Sequence, residues 1–151
     1  MKSQIQELYQ EVILDHNKSP RNFRPMPDAT RHVEGFNPLC GDHYTIYLKL
    51  EGERIVDISF DGAGCAISKS SASVMSQMLK GKTKGEAEKL FREFHDLVTG
   101  RVDGERRIEN LGKLAAFAGV SEFPARVKCA SLAWHTMHSA LTSDGTRVST
   151  E

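Results

Sequence analysis

An α+β domain, with a small antiparallel sheet of about three strands and helices packed around it, is the fold class this sequence predicts. Three observations predict it. His43–Leu50 alternates, with Tyr44, Ile46, Leu48 and Leu50 on one face and His43, Thr45, Tyr47 and Lys49 on the other, the period of a half-buried strand. Glu51-Gly52-Glu53 reads as a hairpin turn, and Arg54–Phe60 returns with Ile55, Val56, Ile58 and Phe60. Before and after this hairpin, apolar residues recur at helical spacing.

The elements follow in order. Ile5, Leu8, Tyr9, Val12 and Ile13 form one face of an amphipathic helix, with Ser3 as N-cap and Gln6 as its capping-box partner. Ser19-Pro20 ends that helix near Asn17, and the proline-rich stretch to Asp28 reads as an extended connector. Arg31–Phe36 is a weaker strand candidate, and Asn37–Asp42 is a turn by composition. Ala66–Leu79 reads as a helix with Ile67, Ser71, Val74, Met75 and Met78 inward, closed by Gly81. Gly85–Val98 reads as another, with Ala87, Leu90, Phe91, Phe94 and Leu97 as its apolar face. Gly100–Asn110 is a loop, Leu111–Ala118 a short helix and Gly119–Phe123 a turn. Pro124 starts a last helix that runs to about Leu141, and the polar tail Ser143–Glu151 frays. The chain reads as one domain, 1–151, with an ordered core of about 5–141.

Composition narrows the function. Twenty Lys and Arg balance twenty Asp and Glu, so no basic excess points to nucleic acid. No apolar run approaches a membrane span and no signal-peptide segment opens the chain, so the expected compartment is the cytoplasm. Three cysteines make no disulfide framework. In a reducing cytosol they stay free or bind metal.

Those cysteines carry the chemistry. Cys65 follows Asp61-Gly62-Ala63-Gly64, where a strand hands over to a helix N-terminus, whose free N–H groups favour thiolate. Cys40 precedes one strand of the hairpin and Cys65 follows the other, so antiparallel pairing brings them to one end. Asp42 is two residues from Cys40, and i and i+2 point the same way in extended chain. Cys129, early in the last helix, shares the inward stripe with Leu132, Ala133, Thr136 and Ala140. If that helix packs its N-terminal end over the strand ends, the third thiol joins the other two. Three thiolates and a carboxylate are four ligands, a set that suits Zn2+ and equally an iron–sulfur cluster. Singly placed cysteines also serve as small buried hydrophobes, and Asp42 as an Asx-turn residue. Arg126 and Lys128 flank Cys129 at a helix start; they read either as a solvated pair or, because cations are out of place at that end, as drawing a thiolate or an anionic sulfur species. His135 and His138 fall on the face opposite Cys129 and read as solvent-exposed. His43 alternates away from Asp42, a second-rank candidate, and His16, His32 and His95 show no partner pattern.

Four ordered motifs resemble the NifU-like, IscU/SufU superfamily of iron–sulfur assembly proteins. They are Leu8-Tyr9 with Val12–His16 and Pro20-Arg21-Asn22, then Asn37–Asp42, then Phe60–Ser68, and finally Arg126–Trp134. The interval between Cys65 and Cys129 is longer than in IscU-type chains, and Lys128 stands where they carry histidine. Both features resemble the SufU branch. The resemblance implies zinc held by Cys40, Asp42, Cys65 and Cys129. It also implies sulfur accepted as persulfide on Cys40 from a SufS-type cysteine desulfurase and passed to downstream cluster-assembly scaffold proteins. Arg126 and Lys128 would assist transfer. The alternative within the family is an IscU-like scaffold that assembles and transfers a [2Fe–2S] cluster.

Overall fold

Alternation and turn chemistry build the sheet. The structure, a computed structural model, describes residues 2–38, 41–101, 112–142 and 148–149, with backbone only at 2–6, 8, 121, 148 and 149. Strands β1 (Arg31–Asn37), β2 (Asp42–Glu51) and β3 (Arg54–Ala63) are antiparallel neighbours. The β2–β3 turn places Gly52 at φ 60°, the left-handed geometry that the first position of a type II′ hairpin turn requires. β4 (Val148–Ser149) pairs parallel with Gly35 and Phe36 of β1, giving the order β3-β2-β1-β4. The tail was expected to fray, but these two residues extend the sheet by backbone hydrogen bonding, which hydropathy does not report. Residues 143–147, 150 and 151 lie outside the described residues.

Of the helices α1 (Lys2–Lys18), α2 (Ala66–Leu79), α3 (Lys84–Val98) and α4 (Pro124–Thr142), α2 and α4 pack on the sheet, α1 packs on α2 and α3 on α4. α1 already includes Ser3, so that residue lies inside the helix rather than at its cap. α3 begins with a capping box, Thr83 and Glu86 exchanging side-chain to backbone bonds of 3.1 and 2.9 Å. Between α3 and α4 the chain forms one 3₁₀ helix, Gly112–Glu122, where the sequence reads as a helix followed by a turn. Leu114, Ala116, Phe117 and Val120 are buried along it, so burial carries it through Gly119. Most of the loop expected over Gly100–Asn110, and Leu111, lie outside the described residues.

α2 is central. It packs against α1, α4 and β3, and Ser68, Ser70, Ser71, Ser73 and Ser76 are buried with Val74 and Met75. Small side chains allow that close approach from several sides. Ile67 and Met78, expected inward, are only half-buried. Trp134 of α4 stacks on Phe94 of α3, centroids 4.6 Å apart, and its indole N–H donates to Ser71 Oγ at 3.2 Å. α4 also lies against β1 at Gly35, where an added Cβ would collide with Thr136 Oγ1. Glycine there sets how closely α4, and with it Cys129, approaches the sheet. Among the described residues no helix is long and apolar enough to cross a membrane.

Candidate metal centre

The two hairpin ends, a helix start and α4 meet at one point. β1 and β2 pair Asn37 with Asp42, and β2 and β3 pair His43 with Ala63. The start of β2 and the end of β3 are therefore side by side. Cys65 follows β3 and is the N-cap of α2, with φ −71° and ψ 168°. Its Sγ accepts from the Ser68 backbone N–H at 3.4 Å. A thiol here occupies the place of a capping oxygen and meets the unpaired N–H groups of the helix start.

Asp42 is 1% exposed, and its Oδ1 accepts the Cys65 N–H at 2.8 Å. Its Oδ2 lies 3.8 Å from Cys65 Sγ. Cys129, 5% exposed, completes a trio in which one donor atom from each residue lies within 4.8 Å of the others. The inward stripe read for Cys129 is confirmed: Leu132, Ala133, Thr136 and Ala140 are all buried. Cys40, the fourth sequence candidate, lies outside the described residues.

The trio fits a cation. A tetrahedral zinc with sulfur at about 2.3 Å and oxygen at about 2.0 Å has S···O edges of about 3.5 Å and S···S edges of about 3.8 Å. The observed 3.8 Å between Cys65 Sγ and Asp42 Oδ2 is close to that edge. Asp42 is a buried carboxylate with no ion pair among the described residues, and a buried charge calls for a counter-charge. Gly64 keeps the space open. A Cβ there would lie 2.6 Å from Ser68 Oγ, 2.6 Å from the Tyr44 hydroxyl and 2.7 Å from Asp42 Oδ1.

Polar groups unread as functional in the sequence line this space. The Tyr44 hydroxyl is 3.1 Å from Ser68 Oγ, and Ser68 Oγ is 3.6 Å from Cys65 Sγ. Burial pushes the Tyr44 pKa far up and the nearby Asp42, Cys65 and Cys129 add to this, against a smaller opposing effect of the Ser68 bond, so the hydroxyl stays a donor. Asn37 Nδ2 donates to Cys129 Sγ at 3.9 Å. Pairing of Asn37 with Asp42 across the hairpin was the available signal for Asn37. For Ser68 it was the N-cap spacing from Cys65.

Arg126 is exposed, its guanidinium 4.4 Å from the Phe123 ring centre, and Lys128 is half-buried immediately before Cys129. Arg126, Phe123, Tyr9 and Val120 line a groove of about 480 Å³. Burial raises the Tyr9 pKa, the Arg126 charge draws it back and Cys65 raises it. His43 points away from the trio and contacts Glu34 at 3.3 Å. His135 and His138 are not free surface residues: both are half-buried around Phe91, together with His95. His16 is buried and bonds Ser73 Oγ at 2.7 Å.

Fold and site define an α+β protein with a preformed thiol–carboxylate centre at the end of an antiparallel sheet. Comparisons with known proteins extend this. The model of the NifU-like N-terminal domain matches residues 8–130. The zinc-dependent sulfurtransferase SufU of Bacillus subtilis is 39% identical over 93% of this chain and 93% of its own. The iron–sulfur cluster assembly scaffold protein IscU of Streptococcus pyogenes is 37% identical over 92% of this chain and 86% of its own. The solved structure of FiSufU from Fervidobacterium islandicum AW-1 superposes with a TM-score of 0.81 at 36% identity, covering 91% of this chain and 98% of that one. The chain belongs to the NifU-like N-terminal domain family, the iron–sulfur cluster assembly proteins that include SufU and IscU.

Proposed function

We propose that this protein is a zinc-dependent sulfurtransferase of iron–sulfur cluster biogenesis, taking persulfide sulfur from a SufS-type cysteine desulfurase onto Cys40. The observation that carries this reading is the trio of buried Asp42 and Cys129 with half-buried Cys65, with donor separations suited to tetrahedral zinc. Cys40, two residues from Asp42 in sequence, is assigned as the fourth ligand. Zinc, when bound, holds thiols as thiolates and adds no redox chemistry of its own. A reducing cytoplasm is the compartment this reading requires.

The transfer is thiol–disulfide-type exchange. The Cys40 thiolate attacks the terminal sulfur of the desulfurase persulfide. The donor's S–S bond breaks, its cysteine leaves as thiolate, and Cys40 carries the persulfide to a downstream cluster-assembly scaffold. Arg126 and Lys128, cationic beside Cys129, attract the anionic sulfur species or the docked donor. Lys128 also puts an ammonium where an IscU-type chain offers an imidazole, which favours transfer over holding a cluster.

Two measurements test this. Freshly isolated protein should be colourless, with about one zinc per chain. A brown isolate with stoichiometric iron and sulfide would favour the [2Fe–2S] scaffold instead. After incubation with desulfurase and cysteine, mass spectrometry should find persulfide on Cys40. Cys40→Ala should stay folded and accept none, while Arg126→Ala and Lys128→Ala keep metal and transfer more slowly. Label on Cys65 or Cys129, with undiminished turnover in Cys40→Ala, would refute the assignment.

A further inference from the structure

Asn37 reads as a turn residue in the sequence, yet its side chain is fully buried at the metal centre. Its main chain and side chain do different things. The Asn37 carbonyl accepts the Gly41 N–H at 2.8 Å, closing the turn that joins β1 to β2. The side-chain Nδ2 reaches Cys129 Sγ, 3.9 Å away on α4. Directly paired residues of antiparallel strands project to the same face, so Asn37 and Asp42 enter the site side by side. One bonds to Cys65, the other to Cys129.

The chemistry selects an amide here. A metal-bound thiolate has no proton and only accepts hydrogen bonds, so the amide must present its N–H rather than its oxygen. An aspartate in this position would set a second carboxylate beside Asp42 and aim an acceptor at the sulfur. An aliphatic side chain would leave the sulfur without this donor in a low-dielectric site, where a hydrogen bond to a charged group is strongest.

We infer that Asn37 is a positioning residue that donates an N–H···S hydrogen bond to metal-bound Cys129, holding it as a retained ligand on α4. The inference rests on the zinc reading of the site. Partners that orient ligands in this way are typically worth about 10- to 100-fold in metal affinity.

The test uses the full chain loaded with ¹¹³Cd, a tetrahedral stand-in for zinc with a nuclear spin. A scalar coupling between the cadmium and one Asn37 side-chain amide proton, transmitted through the sulfur, is the expected result, and it needs no variant to fold. Asn37→Ala and the near-isosteric Asn37→Leu should then lose on the order of tenfold in zinc affinity by chelator competition. Their Co²⁺ derivatives should keep the bands of a four-coordinate site while the thiolate-to-cobalt band moves to lower energy. Wild-type protein that takes up neither zinc nor cadmium would refute the metal reading itself. Metal-loaded protein with no coupling, and variants whose zinc affinity stays within about twofold, would overturn the role of Asn37 alone.

Discussion

Replacing His16 by asparagine removes a titrating group from the contact between α1 and α2. The His16 ring is 1% exposed. Ser73 Oγ accepts the Arg21 backbone N–H at 2.8 Å, so its own proton is free for His16 Nδ1, 2.7 Å away. The ring proton then sits on Nε2, which is buried without a hydrogen-bond partner among the described residues. Burial, with the charges of Arg21 and Lys113, lowers the pKa from 6.5 to about 4, against the weaker pull of Asp15. The unfolded chain therefore binds a proton between about pH 6.5 and 4 that the native protein refuses. Stability from this site is complete above the unfolded value and is lost on acidification at about 1.4 kcal/mol per pH unit, a total near ~3 kcal/mol. Asparagine can retain the bond to Ser73 but does not titrate. Urea unfolding of metal-free wild type and His16→Asn at about pH 7, 5.5 and 4 reads the difference. The stability advantage of the wild type over the variant should shrink by about 3 kcal/mol across that range. A gap that stays constant with pH would show that the native ring protonates freely and would refute the reasoning.

Three further outcomes are expected. Gly64→Ala drives a methyl group into Asp42 Oδ1, Ser68 Oγ and the Tyr44 hydroxyl, so zinc affinity and the metal-free melting temperature should both fall, as chelator titration and calorimetry would show. Gly35→Ala collides with buried Thr136 and should destabilise by about 1–3 kcal/mol in denaturant unfolding. Chelation of zinc should lower the melting temperature, since a ligand bound only to the native state adds stability by mass action, and Cys65→Ser should do the same. Equal melting with and without metal would contradict that last expectation.

The sheet was legible because its strands report themselves in pairs of faces. Tyr44, Ile46 and Leu48 are buried as the alternation requires. Cys65 was legible because the glycines before it mark the end of β3, and Cys129 because helical spacing sets it among buried residues. What sequence could not show was docking. That α4 crosses the end of the sheet depends on Gly35 admitting Thr136, a contact between residues far apart in the chain. The histidines were misread for a related reason. His135 and His138 lie opposite Cys129 on α4, as helical spacing indicates, but that face is covered by α3 through Phe91 rather than by solvent. The pattern of one helix does not reveal whether it is packed on two sides. The short helix expected over Leu111–Ala118 is there from Gly112 as a 3₁₀ helix, and its continuation to Glu122 escaped because Gly119 reads as a breaker.

The three proposed ligands among the described residues all lie in or at the end of regular structure. Asp42 begins a strand paired on both sides, Cys65 caps a helix buried along most of its length, and Cys129 lies in a helix held against β1. Displacing any of them disturbs regular structure and the core behind it. Gly41, immediately before Asp42, takes φ 74°, a conformation that side chains other than glycine adopt at a cost. It marks the point where the chain leaves the turn and enters β2. Persulfide transfer needs one sulfur that leaves its place and returns while the rest of the site stays assembled. On the proposed reading, in which Asp42, Cys65 and Cys129 hold zinc, that task is assigned to Cys40, which the sequence places between β1 and β2. Asn37 anchors the near end of this turn to Cys129 and Asp42 anchors its far end to Cys65.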